Sequence, residues 1–114
     1  MLTVDNLRKC GVNPDEGIAR CLQNETFYLT LVGKALDDDG IERLKTAVEQ
    51  GNLGEAFEIA HALKGVFGNL SLTPLYDGIV EITELLRNRE SVDYSPYLQK
   101  VSEVFAQLKT MHQA

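Results

Sequence analysis

NLGEAFEIAHALKGVFGNL, residues Asn52 to Leu70, is the stretch on which the fold turns. Asn52 followed by Glu55 has the form of a capping box at a helix start. Beyond it, Ala56, Ile59, Ala60, Leu63, Val66, Phe67 and Leu70 recur at helical spacing and, at about 100° per residue, fall in one stripe. This predicts a long amphipathic helix with that stripe toward a core. The opposite side carries Gly54, His61, Lys64, Gly65 and Gly68, so the histidine is expected to face solvent. The two glycines that follow it need a reason, because each costs roughly 0.8 to 1 kcal/mol relative to alanine inside a helix. Gly65 and Gly68 share the face of His61, where they remove side chains and leave a clearing for a close approach. Lys64, almost one turn after His61, is placed so that its ammonium can reach an anionic group on the imidazole. Any one of these residues alone would be ordinary solvated surface. Together on one face, with two of them opposing helix stability, they mark a functional site.

The same periodicity runs outward in both directions. Asn13, Pro14, Asp15 and Glu16 give a cap, a favourable first position and an acidic first turn for a short helix to about Leu22. Asn24 caps the next helix, which carries Phe27, Leu31, Val32 and Leu36 until Asp37, Asp38, Asp39 and Gly40 interrupt it. A further helix from about Ile41 to Gln50 buries Ile41, Leu44 and Val48 and stops at Gly51. After the central stretch, Thr73 and Pro74 start a helix bearing Leu75, Ile79, Ile82 and Leu86. Ser95 and Pro96 start a last one bearing Val101, Phe105, Leu108 and Met111. No strand pattern occurs. Amphipathic helices joined by short polar connections pack as antiparallel neighbours. The expected fold is therefore all-α, an antiparallel four-helix bundle with one or two short additional helices at the N-terminus, and residues 1–114 forming one domain.

Composition narrows the function. A net charge of −6 with 11 scattered Lys and Arg argues against nucleic acid and for a protein partner. No apolar run approaches the roughly 20 residues of a membrane span, and Met1 to Gly11 lacks the pattern of a secretory signal, so a cytoplasmic location is expected. Cys10 and Cys21 are too far apart for a CxxC pair and read as reduced packing residues. Two histidines do not supply a zinc site, and no metal or cofactor bound by this chain is expected. His112 lies in the polar tail, where fraying is the default, and takes no role. No apolar helix face is left over, which makes a monomer the expected state.

The segment His61-Ala62-Leu63-Lys64-Gly65-Val66-Phe67-Gly68-Asn69-Leu70 resembles the signature of the histidine phosphotransfer (HPt) family, with Lys at +3, Gly at +4 and Gly at +7 from the histidine. Ala60 before the histidine and the Thr73-Pro74 helix start extend the likeness, and Cys10 through Leu36 is similar to the N-terminal part of standalone bacterial members. The resemblance implies that His61 is the phosphoacceptor and Lys64 a phosphate-stabilising cation. It also implies that Gly65 and Gly68 form the clearing for a partner, with Asn69 beside them. Many members have Gly at +10, where this chain has Ser71, which places the geometry of that turn in question. The implied partners are receiver domains and a hybrid sensor histidine kinase, with Mg²⁺ held by the receiver. Phe57, one turn before His61, and apolar atoms near Val66 or Tyr76 are candidates for a docking rim, Phe57 equally for packing on a neighbouring helix. There is no P-loop and no kinase signature, so autophosphorylation from ATP is not supported. Two rivals remain: a helical adaptor of the same shape that binds partners without phosphorylation, and an enzyme using His61 as a general base. The second lacks another catalytic group, Glu58 being the only carboxylate within helical reach.

Overall fold

Asparagine side chains open three of the helices, as their positions in the sequence predict. Asn13, Asn24 and Asn52 each accept, through Oδ1, the backbone N–H three residues on, at 3.2, 3.0 and 3.2 Å. At Asn52 the amide also donates to Glu55 Oε2 at 2.8 Å, a side-chain variant of the capping box. In the computed structural model, which describes residues 1–114, the chain forms α1 (Val4–Lys9), α2 (Pro14–Arg20), α3 (Glu25–Asp37), α4 (Gly40–Glu49), α5 (Leu53–Asn69), α6 (Thr73–Arg87) and α7 (Ser95–Gln113), with no strand. The sequence allows a second short N-terminal helix but does not place α1 by residue. That helix spans six residues and buries only Leu7, too short a segment to show a period.

Two three-residue connections (50–52 and 70–72) and a longer one (88–94) make α4, α5, α6 and α7 successive antiparallel neighbours, and the α5–α6 pair packs most extensively. The fourth side of the bundle is shared: α4 lies on α5, while α3 lies on α7. One apolar cluster of 25 buried residues runs through all of them and includes Leu2, Leu7, Val12, Cys21 and Tyr28 from the N-terminal segment. Leu75, Ile79, Ile82 and Leu86 of α6 are all fully buried, as their spacing predicts. On α3 the buried aromatic is Tyr28, and Phe27 is 44% exposed. Tyr28 can enter the core because its hydroxyl donates to the Leu70 carbonyl at 2.9 Å, so its polar tip is satisfied. On α4 the third buried residue is Ala47, with Val48 only half-buried.

The end of α5 explains Ser71. The Leu72 N–H donates to Phe67 O at 2.9 Å and the Ser71 N–H to Gly68 O at 3.1 Å, the two bonds of a Schellman cap. That cap puts Ser71 at φ +52, the left-handed region where glycine is at ease. Serine is retained there by contacts with α2: its hydroxyl donates to Glu16 Oε1 at 3.1 Å and its carbonyl accepts the Asn13 N–H at 3.1 Å. The turn therefore keeps the glycine geometry while gaining a tie to α2. Gly51, at φ +71, closes α4 in the same way.

Two further expectations are corrected. Val66 is 41% exposed and does not belong to the core stripe, because α5 meets α3 at that point across an open apolar groove lined by Leu31, Ala35, Leu63 and Leu70. His112 is not frayed: α7 continues to Gln113, and the His112 ring packs over Gly33 of α3, where an added Cβ would stand 2.8 Å from Cε1. Its Nε2 lies 3.2 Å from Asp37 Oδ2.

Candidate functional site

α5 carries the site because its two faces do different work. Ala56, Ile59, Ala60, Leu63 and Phe67 hold the helix to the core, and that fixes the rotation which turns His61 to solvent. His61 is exposed, and no group of the protein forms a hydrogen bond or ion pair with either ring nitrogen. Lys64 is half-buried, and its ammonium has no carboxylate partner. An imidazole with free lone-pair access and an uncommitted ammonium one turn away therefore share an open surface.

The glycines divide their roles. A Cβ built on Gly65 meets nothing within 4 Å, so this residue leaves the surface beside His61 and Lys64 open. Gly68 does not add to that clearing. A Cβ there would stand 3.0 and 3.2 Å from Tyr76 Cε1 and Cδ1, so Gly68 makes room for the tyrosine ring of α6. Tyr76 and Val66, the candidates for a docking rim, are 36% and 41% exposed. Asn69 is exposed at the edge of a cleft of about 460 Å³ that also contains Lys64, Gly65, Tyr76, Glu16 and Arg20. Arg20 closes one side of it, donating to the Gly68 carbonyl and pairing with Glu16 at 2.8 Å.

Phe57 combines the two readings open to it. It is half-buried against the core, and it stacks on His61 with ring centroids 5.8 Å apart and planes inclined by 23°. Arg87 and Arg89 lie over the same phenyl ring. Neither arginine stands out in the sequence, where they belong to an ordinary charged helix end. The available signal is the hairpin register: Arg87 follows the α5–α6 turn at nearly the distance by which Phe57 precedes it. No three His, Cys, Asp or Glu side chains converge anywhere in the chain as a metal-binding group. No helix is long and apolar enough to cross a membrane.

The helical bundle thus presents one unpartnered histidine on an outward helix face, with a lysine and an open glycine on the next turn. The family described as Hpt domain matches residues 34–114, well over half of the chain and including the whole of the α5 site. The chain belongs to the Hpt domain family, and membership implies histidine phosphotransfer in two-component systems. Neither a curated protein nor a solved structure matches the chain.

Proposed function

We propose that the chain is a phosphorelay intermediate, in which His61 accepts a phosphoryl group from a receiver-domain aspartyl phosphate and passes it to a second receiver. The observation that carries this reading is the exposure of His61, with both ring nitrogens unengaged, between the half-buried Lys64 and the open Gly65. In the forward step a lone pair of the neutral imidazole attacks phosphorus, the N–P bond forms as the P–O bond breaks, and the receiver's aspartate leaves as carboxylate. Little covalent machinery is required, because positioning and charge stabilisation dominate such transfers. Lys64 supplies a charge-assisted contact to the phosphoryl oxygens. Val66, Tyr76 and Asn69 frame the surface on which the receiver seats. In this reading the chain binds no cofactor of its own, and Mg²⁺ belongs to the receiver. Reversal follows from the same contacts, so the protein serves donor and acceptor receivers alike.

Residues 1–114 are read as one cytoplasmic, monomeric unit; the core that joins α1, α2 and α3 to the bundle supports the single unit. The test is a two-stage relay. Purified protein is incubated with a phosphorylated receiver and Mg²⁺, separated from it, and offered to a second, unphosphorylated receiver. Phosphate moving through the protein to the second receiver is the expected result. Stable binding of receivers with no phosphate transferred in either stage would establish the adaptor instead.

A further inference from the structure

On the side of His61 toward the start of α5, aromatic and cationic groups form a column. Phe57 stacks on the imidazole, and the guanidinium carbons of Arg87 and Arg89 lie 5.2 and 5.3 Å from the centroid of the same phenyl ring. Both are inside the roughly 6 Å over which a cation is attracted by a ring quadrupole. Arg87 ends α6, and its only ion pair is a half-exposed contact of 3.4 Å with Glu84, an interaction of little strength that is readily given up. Arg89 follows the helix at φ +51, in a Schellman cap formed by Glu90 N–H to Leu85 O at 3.1 Å and Arg89 N–H to Leu86 O at 3.0 Å. This is a glycine position filled by an arginine at a conformational penalty. The turn carries the Arg89 side chain back toward α5: Nη1 donates to the Leu86 carbonyl, and Nη2, free of that bond, comes within 4.0 Å of a Cβ built on Gly54. At that distance the guanidinium lies in ordinary van der Waals reach of the first turn of α5.

We propose that Arg87 and Arg89, seated on Phe57, form a second cationic flank for the phosphoryl group on His61, toward the opposite end of α5 from Lys64. Phe57 is the positioning residue that holds the imidazole plane and the guanidinium groups in register. The inference rests on the phosphoryl-transfer reading and extends it. With Lys64 on one flank and the arginines on the other, the dianionic group meets positive charge from both directions along the helix. Guanidinium suits this place, because it can stack on an aromatic ring in the resting protein and turn its planar donors to phosphate oxygens when they arrive.

The experiment measures transfer from a phosphorylated receiver to the full chain, with wild type and variants first shown to share the same helicity and thermal midpoint. Replacing both arginines by methionine keeps apolar cover on Phe57 and removes the charge. The double variant is expected to accept phosphate about fivefold more slowly than wild type, with a weaker dependence on salt. Replacing both by lysine keeps the charge and is expected to restore most of the rate. Phe57→Leu is expected to slow transfer and to shift the His61 ring proton resonances, whereas Phe57→Tyr keeps the stack and the rate. Because the ring seats the arginines, adding Phe57→Leu to the methionine pair is expected to slow transfer by less than the two changes would if independent, leaving only the part due to the imidazole. A methionine pair that matches wild type, while wild type is labelled on His61, overturns the cationic flank and leaves the relay reading intact. Fully additive slowing overturns the coupling through Phe57. Wild type that takes no phosphate on His61 overturns the relay reading and this inference with it.

Discussion

The two histidines of this chain sit in opposite surroundings. His61 stands on the outer face of α5 with its ring nitrogens free, touched mainly by a stacked phenyl ring. His112 lies near the end of α7, half-buried over Gly33, with Nε2 3.2 Å from Asp37 Oδ2. His112 is occupied with joining α7 to α3, and His61 is committed to nothing within the protein. The Asp37 carboxylate can only accept, so His112 Nε2 presents an N–H to it, whereas no contact within the protein commits either ring nitrogen of His61. The comparison gives His112 a part in tertiary packing and leaves His61 as the histidine open to a partner.

The largest effect that can break this contrast is a pair of substitutions. His61→Gln is expected to abolish phosphoryl acceptance and to change stability by less than about 0.5 kcal/mol, as for an ordinary surface site. His112→Gln is expected to leave acceptance unchanged and to lower stability by up to about 1 kcal/mol through loss of the half-exposed contact with Asp37. Receiver-to-protein transfer and thermal unfolding, run on both variants, measure the two effects together. Equal transfer by the two variants would erase the distinction.

Lys64→Ala sharpens the picture of the free histidine. Transfer is expected to slow about tenfold without vanishing, since one charge-assisted contact stabilises the transferring group while the imidazole does the chemistry. Rapid-quench kinetics measure this directly, and an unchanged rate removes Lys64 from the site.

The glycines offer a comparison within the same helix. Gly65→Ala places a methyl group in open space, so stability is expected to rise by about 0.8 to 1 kcal/mol while transfer from the receiver slows. Gly68→Ala is expected to gain less, because Tyr76 must yield by a few tenths of an ångström. Chemical denaturation and transfer rates on the two variants separate a glycine kept for access from one kept for packing.

The effect furthest from the transfer chemistry concerns the buried end of the site helix. Burial pushes the Tyr28 phenol up to about 12, with the nearby Cys21 adding to the shift. Unfolding exposes the phenol and returns it to about 10. The stability it contributes is present below about pH 10 and is lost as pH rises through the folded value. Tyr28→Phe is expected to lower stability by about 0.5 to 1.5 kcal/mol at neutral pH through loss of the bond to Leu70 O, and to remove that part of the alkaline decline. Thermal midpoints across pH 9 to 12, as a set of about four buffers, check both statements.

The parts of the molecule that were legible in the sequence are those governed by local period and local caps. The outward direction of His61 follows from a stripe of apolar residues on its own helix, and the helix starts follow from Asn13, Asn24 and Asn52. What was not legible depends on partners distant in sequence. Tyr28 replaces Phe27 in the core because a carbonyl at Leu70 receives its hydroxyl. Gly68 answers to a ring on α6 rather than to the surface beside His61. His112 is ordered by α3, and nothing near it in the chain announces that contact. Val66 falls within the helical stripe by period alone, and its exposure is set by the distance at which α3 passes. Ser71 departs from glycine in identity while keeping the left-handed backbone, because Glu16 and Asn13 hold it. Pattern thus marked the outward histidine, and tertiary contact set what lies beside it.

The most direct test of the account is the location of the phosphate. Wild-type protein is phosphorylated by a receiver in the presence of Mg²⁺, digested under alkaline conditions and mapped by mass spectrometry, with acid and base stability measured in parallel. The account predicts a single acid-labile, base-stable phosphate on the peptide that contains His61 and none on the peptide that contains His112. Phosphate on His112, or on a serine, threonine or aspartate with His61 unmodified, would contradict it.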